Sequence, residues 1–295
     1  FESEYAVFGN GAGSARRRTV REWLYHCRPP TAARAAGVGK VELFAPSGQS
    51  RGFYSTRNRL NELTGKEWVY WSKSVITRQY PPDCQHALRS RHGGQKPPAL
   101  CGDLIDVFTK PGQRVLDPFA GVGGTLLGAS LRGREAVGIE INPEWVEIYG
   151  EVCRREGLAP QRLLCGDSRQ ELPRLHAAGE AAFELLLTDV PYWQMDRVRR
   201  SPGRFKRVGE QGRERRASKL ARFNDAAPAS KDAWLEELGQ VFSLSLPLLA
   251  PRAYLAVFIG DMYHAGRFHH LSADLSRLLE SLGLTPKANL IWYDV

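Results

Sequence analysis

Four acids stand where apolar runs of the chain end. Asp117 closes "RVLD", Glu140 closes "EAVGIE", Asp167 follows "QRLLCG", and Asp189 ends "FELLLTD" at the junction "TDVPYWQMD". Leu185, Leu186 and Leu187 behind Phe183 read as a strand buried on both faces, so the polar residues after them sit where the strand leaves its sheet. In open α/β sheets that edge is where ligands bind. Residues 117–125, "DPFAGVGGT", add a glycine-rich turn after a strand, which lets backbone and a helix N-terminus approach a ligand closely. The turn is not a dinucleotide fingerprint. That pattern wants glycine at 121, 123 and 126, whereas position 126 is Leu and the Asp117 carboxylate would repel a pyrophosphate. A ligand with a cationic part fits better. Glu140 lies about 20 residues after the glycines, the separation at which an acid reaches ribose hydroxyls. Asp117, Glu140 and Asp167 along one rim offer acceptors to an ammonium group, a ribose diol and an exocyclic adenine amine. S-adenosylmethionine carries all three.

The elements that must hold these residues alternate from Arg114 onward. "RVLDPF", "EAVGIEI", "QRLLCGD" and "FELLLTDV" read as strands, followed by a helix carrying Trp234, Leu235, Leu238, Val241 and Phe242 at helical spacing. "AYLAVFIGD" and "ANLIWYDV" supply two more strands, with a helix around residues 268–282 between them. The expected fold is α/β, a Rossmann-like doubly wound and mostly parallel sheet of six strands. An antiparallel partner for the last strand is either missing or supplied by the N-terminal part. Ahead of this core, "PPALCGDLIDVFTKPG" places Leu100, Leu104 and Phe108 on one helical face, ended by Pro111 and Gly112. Residues 1–92 have another texture, with Arg- and Gly-rich patches and weak periodicity, and are expected to form an N-terminal accessory region of unassigned fold. The remaining residues, 93–295, form the main domain. Trp68, Tyr70 and Trp71 are as compatible with packing on that domain as with touching a ligand.

The chain has 295 residues, 42% of them hydrophobic and 10% aromatic, which is enough for a sizeable core. No apolar run reaches bilayer length and no basic, then hydrophobic, leader follows Phe1, so a soluble protein with no membrane partner is expected. The five cysteines are scattered, with no Cys-x-x-Cys pair and no Cys/His spacing suited to zinc. A reducing cytoplasm and no metal are the expectation. The net charge of +9 and a pI near 9.5 suggest a polyanionic partner. Much of that charge lies in "RVRRSPGRFKRVGEQGRERRASKLAR", residues 197–222, which reads as a mobile basic loop within about residues 194–228. It leaves directly from the Asp-Val-Pro-Tyr-Trp junction.

"DPFAGVGGT", "GIEINPEW", "GDS" and "TDVPYW", in that order, resemble the successive motifs of the amino-directed DNA methyltransferases, the family that methylates adenine N6 or cytosine N4. "GGQKPPALCGDLIDVFTKPGQRVLDPF" is similar to the segment that precedes the glycine motif in that family and folds over the cofactor's methionine end. The likeness covers roughly residues 90–295 and implies the class I methyltransferase fold with S-adenosylmethionine as cofactor. It implies cofactor contacts at Lys96, Pro97, Asp117, Phe119, Gly121, Gly123, Glu140, Ile141 and Asp167. Catalytic roles fall on Asp189, Val190, Pro191 and Tyr192: the acid and the following carbonyl accept the target amine, and the aromatic stacks on the base. Trp193 and the loop residues Arg197, Arg199, Arg200, Arg215 and Arg216 would bind the DNA substrate. Val190 stands where the family's motif has proline; the carbonyl is kept, and the ring that stiffens the loop is not.

The implied activity is methylation of a flipped DNA base, of the restriction-modification kind. An acid at the first motif position leans to adenine N6, while the following Trp193 is common in the cytosine-N4 group. Two rivals share these features: a methyltransferase acting on RNA or on a protein amide, and a noncatalytic DNA-binding subunit that keeps the fold. The long basic stretch argues against a protein substrate, and the intact acids argue against the inert subunit.

Overall fold

The structure is a computed structural model describing residues 18–26 (by backbone alone), 39–45, 47–180, 182–193, 228 and 230–294. Strand β1 (Arg18–His26) precedes a hairpin of β2 (Lys40–Phe44) and β3 (Ser50–Ser55), then α1 (Gly65–Trp71), β4 (Val75–Ile76), α2 (His86–Arg89) and α3 (Pro98–Phe108). From there strand and helix alternate: β5 (Arg114–Asp117), α4 (Gly124–Leu131), β6 (Glu135–Glu140), α5 (Pro143–Glu156), β7 (Arg162–Cys165), α6 (Ser168–Ala177), β8 (Phe183–Asp189) and α7 (Lys231–Ser245). The chain then runs through β9 (Leu249–Ile259), a short hairpin of β10 (Met262–His264) and β11 (Arg267–His269), α8 (Leu271–Ser281) and β12 (Thr285–Asp294).

Among the described residues, eight strands form one sheet in the order β4-β12-β1-β9-β8-β5-β6-β7. All six strands expected from the sequence are in it. β5 to β9 pair in parallel, whereas β1 runs antiparallel to both of its neighbours, β9 and β12. The antiparallel partner of the last strand therefore comes from the N-terminal part, and β4, also from before residue 93, pairs with the outer side of β12.

Side-chain alternation along the buried strands builds two cores, one on each face. Leu185 and Leu187 of β8 pack with Leu104 of α3, Leu126 and Leu127 of α4 and Trp145 of α5. Leu186, between them, faces Leu172 of α6, Leu238 and Phe242 of α7 and Leu275 of α8. This is the doubly wound α/β fold the sequence predicts. The strand order turns back between β5 and β8: β6 and β7 extend the sheet on one side of that pair, β8 and β9 on the other. At such a switch point the crossover helices diverge and leave a crevice at the carboxyl ends of the strands. Asp117 ends one of the two strands and Asp189 the other.

Candidate functional site

A cavity of about 410 Å³ opens at that crevice. Of the nine residues expected to hold a cofactor, Lys96, Asp117, Phe119, Gly121, Glu140, Ile141 and Asp167 line it, together with Asp189, Val190, Pro191 and Tyr192. Pro97 and Gly123 do not line it. Pro97 caps α3, and Gly123 starts α4 with φ of +76°. A Cβ on Gly123 would stand 2.2 Å from the Tyr149 ring, so glycine is required there by packing of the turn against α5.

Each acid is fixed differently. Asp117 is buried; its Oδ1 accepts from the Thr188 hydroxyl at 2.6 Å and from the Phe119 N–H at 3.1 Å. Burial raises its pKa to about 6, with the hydrogen bonds opposing and the nearby Asp189 adding to the rise. Glu140 crosses to the glycine turn, accepting from the Gly121 N–H at 2.8 Å and the Asn142 N–H at 2.7 Å. Burial also lifts the Glu140 carboxyl above its ordinary range, against the pull of those backbone donors. Asp167 caps α6 by accepting from the Arg169 N–H at 2.8 Å, and the Arg169 guanidinium beside it holds its carboxyl below the usual carboxylate range.

The acid of the fourth strand is held by a cation. Lys96, 93 positions earlier, donates to Asp189 Oδ2, and its ammonium lies 5.6 Å from the centre of the Tyr192 ring and 5.3 Å from that of Phe258. The loop after Asp189 is anchored by contacts rather than by the proline the motif leads one to expect. Val190 is buried in the core under α7, and the Trp234 indole N–H donates to the Pro191 carbonyl at 2.7 Å. Trp193 is turned away from the cavity: it is buried, with its ring 5.1 Å from that of His269 and 5.6 Å from that of His264. Arg197, Arg199, Arg200, Arg215 and Arg216 lie outside the described residues. Tyr192, before that stretch in the sequence, and Pro228, after it, both line the cavity.

The sequence did not single out His92, Thr188, Arg169, Trp234 or Phe258. His92 lines the cavity, and burial with Lys96 nearby lowers its pKa to about 4, so it is neutral at pH 7. A Cβ on Gly121, whose φ is +53°, would come within 3.0 Å of the His92 ring. Trp234 was noted only for its helical spacing.

Residues 44–151 match the family model N6_N4_Mtase, described as DNA methylase. Over that segment, a little more than a third of the chain, the protein is similar to the N6/N4 DNA methylase family. The matched residues span the Lys96 segment, the glycine turn and Glu140, and stop short of Asp167 and Asp189. The DNA adenine methyltransferase YhdJ of Escherichia coli is 46% identical over 57 residues, 19% of each chain. The type II methyltransferase M.HindIII of Haemophilus influenzae is 53% identical over 51 residues, 17% of this chain and 16% of the relative. The tRNA (guanine(10)-N2)-dimethyltransferase of Methanothermobacter thermautotrophicus is 33% identical over 100 residues, 34% of this chain and 28% of the relative. The match thus covers between 16% and 28% of the length of these relatives. Among the described residues no helix is long and apolar enough to cross a membrane.

The arrangement suits a small ligand with both apolar and cationic parts. The cavity volume falls in the range of about 300–1,000 Å³ common for small ligands. Its wall is largely apolar around Phe119, Ile139, Val190 and Phe258, and it presents acids at three strand ends. A buried acid at the crevice, an acid across the glycine turn and an acid at a helix start offer hydrogen-bond acceptors around it.

Proposed function

We propose that the protein transfers a methyl group from S-adenosylmethionine to an exocyclic amine of a DNA base rotated out of the duplex, adenine N6 in preference to cytosine N4. The observation that carries this is the pairing of Asp117 and Asp189 at adjacent strand ends over one cavity, with Tyr192 beside the second acid. Asp117, Glu140 and Asp167 hold the cofactor's ammonium, ribose and adenine amine, and the Phe119 and Ile141 side chains flank it. When bound, the cofactor supplies a sulfonium methyl group open to direct displacement by a nitrogen lone pair.

An exocyclic amine is a poor nucleophile because its lone pair is delocalised into the ring. Alignment is therefore the main task. Asp189 and the Val190 carbonyl accept both amine protons and draw the nitrogen toward a tetrahedral form. Tyr192 stacks on the base. Such stacking contributes about 1–3 kcal/mol per base, comparable to the few kcal/mol that extrusion costs. Lys96 pairs with the acceptor the amine needs, so its ammonium shares or yields that carboxylate as the base enters. The burial of Val190 and the Trp234 bond to Pro191 keep the loop in place during the exchange. The basic stretch between Trp193 and Pro228 contacts phosphates, and the setting is cytoplasmic.

Likeness to a tRNA guanine-N2 methyltransferase keeps RNA as a second reading, since that substrate is also an exocyclic amine on a base. Incubating the protein with labelled S-adenosylmethionine and duplex DNA, transfer RNA or protein, followed by nucleoside mass spectrometry, separates them. N6-methyladenine in DNA is the expected product. Label in RNA alone transfers the activity to RNA, and cofactor binding with no transfer to any substrate supports an inert subunit.

A further inference from the structure

Three residues beyond β9, on the same sheet edge as Asp189, the chain makes a hairpin that the methyl-transfer reading does not use. β8 and β9 run parallel with Asp189 opposite Phe258, so β9 delivers β10 and β11 beside the Asp189 loop. Ala265 and Gly266, with φ of +49° and +82°, form the two-residue turn, and Tyr263 lies directly opposite Phe268. Alternation then gives the hairpin two unlike faces. Met262 and His269, an opposed pair, are buried, and His269 meets the Trp193 ring. Tyr263 and Phe268 face outward, 64% and 50% exposed. Arg267 next to them is exposed, and Asp261, at the root of the hairpin, accepts from the Ser272 N–H.

Two aromatic rings held in register on a rigid turn, exposed and flanked by a cation, have no work in a buried core. We propose that the β10–β11 hairpin is a second nucleic-acid contact, in which Tyr263 and Phe268 stack on bases next to the position the target base leaves. This rests on the proposed DNA substrate. The partner follows from continuity: Trp193, which directly follows the base-stacking Tyr192, is the residue on which the hairpin's inner face packs, so the two aromatic surfaces share one foundation. It follows also from charge, since Arg267 at the tip suits a phosphate rather than an acidic protein surface. Every base offers a π-face, so stacking of this kind needs no sequence.

The test compares the wild type with Tyr263→Leu/Phe268→Leu, which keeps hydrophobic bulk and removes the rings. Binding is measured on an intact duplex and on the same duplex carrying one abasic site, where a gap in the stack admits an aromatic ring. The wild type should prefer the gapped duplex and the variant should lose about 5–100-fold of its affinity for it. Its salt dependence, melting temperature and S-adenosylmethionine affinity should stay unchanged, because the rings touch neither phosphate nor core. A variant that keeps the wild-type preference overturns the proposal. So does a wild type that sediments as a dimer which the variant dissociates, since the patch is then a self-interface. A wild type that binds neither duplex removes the DNA reading itself, an outcome distinct from failure of the hairpin alone.

Discussion

Asp117 has a carboxyl that burial pushes up to about 6, and the proposed pairing with an ammonium group needs it ionised. The sign follows: the cation binds the deprotonated form, so affinity for S-adenosylmethionine rises with pH through about 6 and falls below it. Below that point one proton must leave per ligand bound, so calorimetry should find affinity falling about tenfold per pH unit. Asp117→Asn should flatten the profile; a profile that keeps its slope in the variant would place the titration elsewhere. Glu140 has a double duty, since its carboxylate also satisfies the N–H groups of Gly121 and Asn142. Glu140→Ala should cost about 1.5–3 kcal/mol of cofactor affinity and also lower the melting temperature, because two donors in the turn lose their acceptor. A wild-type dissociation constant in the variant would take Glu140 out of the ligand's reach. These acids were legible in the sequence because each ends an apolar run. Lys96 was expected only as a cofactor contact, by resemblance, and its pairing with Asp189 was not foreseen, since the two lie 93 positions apart and no local pattern joins them.

Helix α7 does more than cover the sheet. Its Trp234 reaches back 43 residues to the Pro191 carbonyl, fixing the loop whose usual proline is here Val190. Trp234→Phe keeps an aromatic ring, though a smaller one, and deletes the donor. The expected result is a rate of methyl transfer lowered about 3–10-fold, the worth of one hydrogen bond of about 1 kcal/mol, with cofactor affinity unchanged. Equal rates in single turnover would mean that burial of Val190 alone holds the loop. The spacing of Trp234, Leu238, Val241 and Phe242 announced the helix in the sequence, but an amphipathic pattern reports only which face is buried. It does not say which carbonyl lies beneath. The β10–β11 hairpin was missed for another reason: "MYHAGRFH" holds two strands of three residues each, too short for alternation to register, and Ala-Gly is a weak turn signal.

The whole sheet depends on a strand from the far end of the chain. β1 bridges β9 and β12, pairing with residues from Tyr254 to Asp294, near the other end of the sequence. Deleting residues 1–38 should leave β9 and β12 with unpaired edges and lower the melting temperature by several degrees, with aggregation as the visible consequence. An unchanged melt would show that β12 closes onto β9 unaided. The core strands were readable because a parallel sheet buried on both faces needs unbroken hydrocarbon, and "ELLLTD" and "YLAVFI" supply it. "RTVREWLYH" mixes charge into its pattern, and its place is dictated by two partners rather than by its own sequence. Most of the residues that line the cavity were therefore visible in advance, while the closure of the sheet and the contacts that anchor the loop after Asp189 were not.

The most direct test is single-turnover methyl transfer by Asp189→Ala, with cofactor affinity and melting temperature taken on the same preparation. If Asp189 accepts the amine as it rehybridises, the rate constant should fall about 10²–10³-fold while cofactor binding stays near wild type. A variant that methylates at the wild-type rate would contradict this and reduce "TDVPYW" to a loop that only closes a strand.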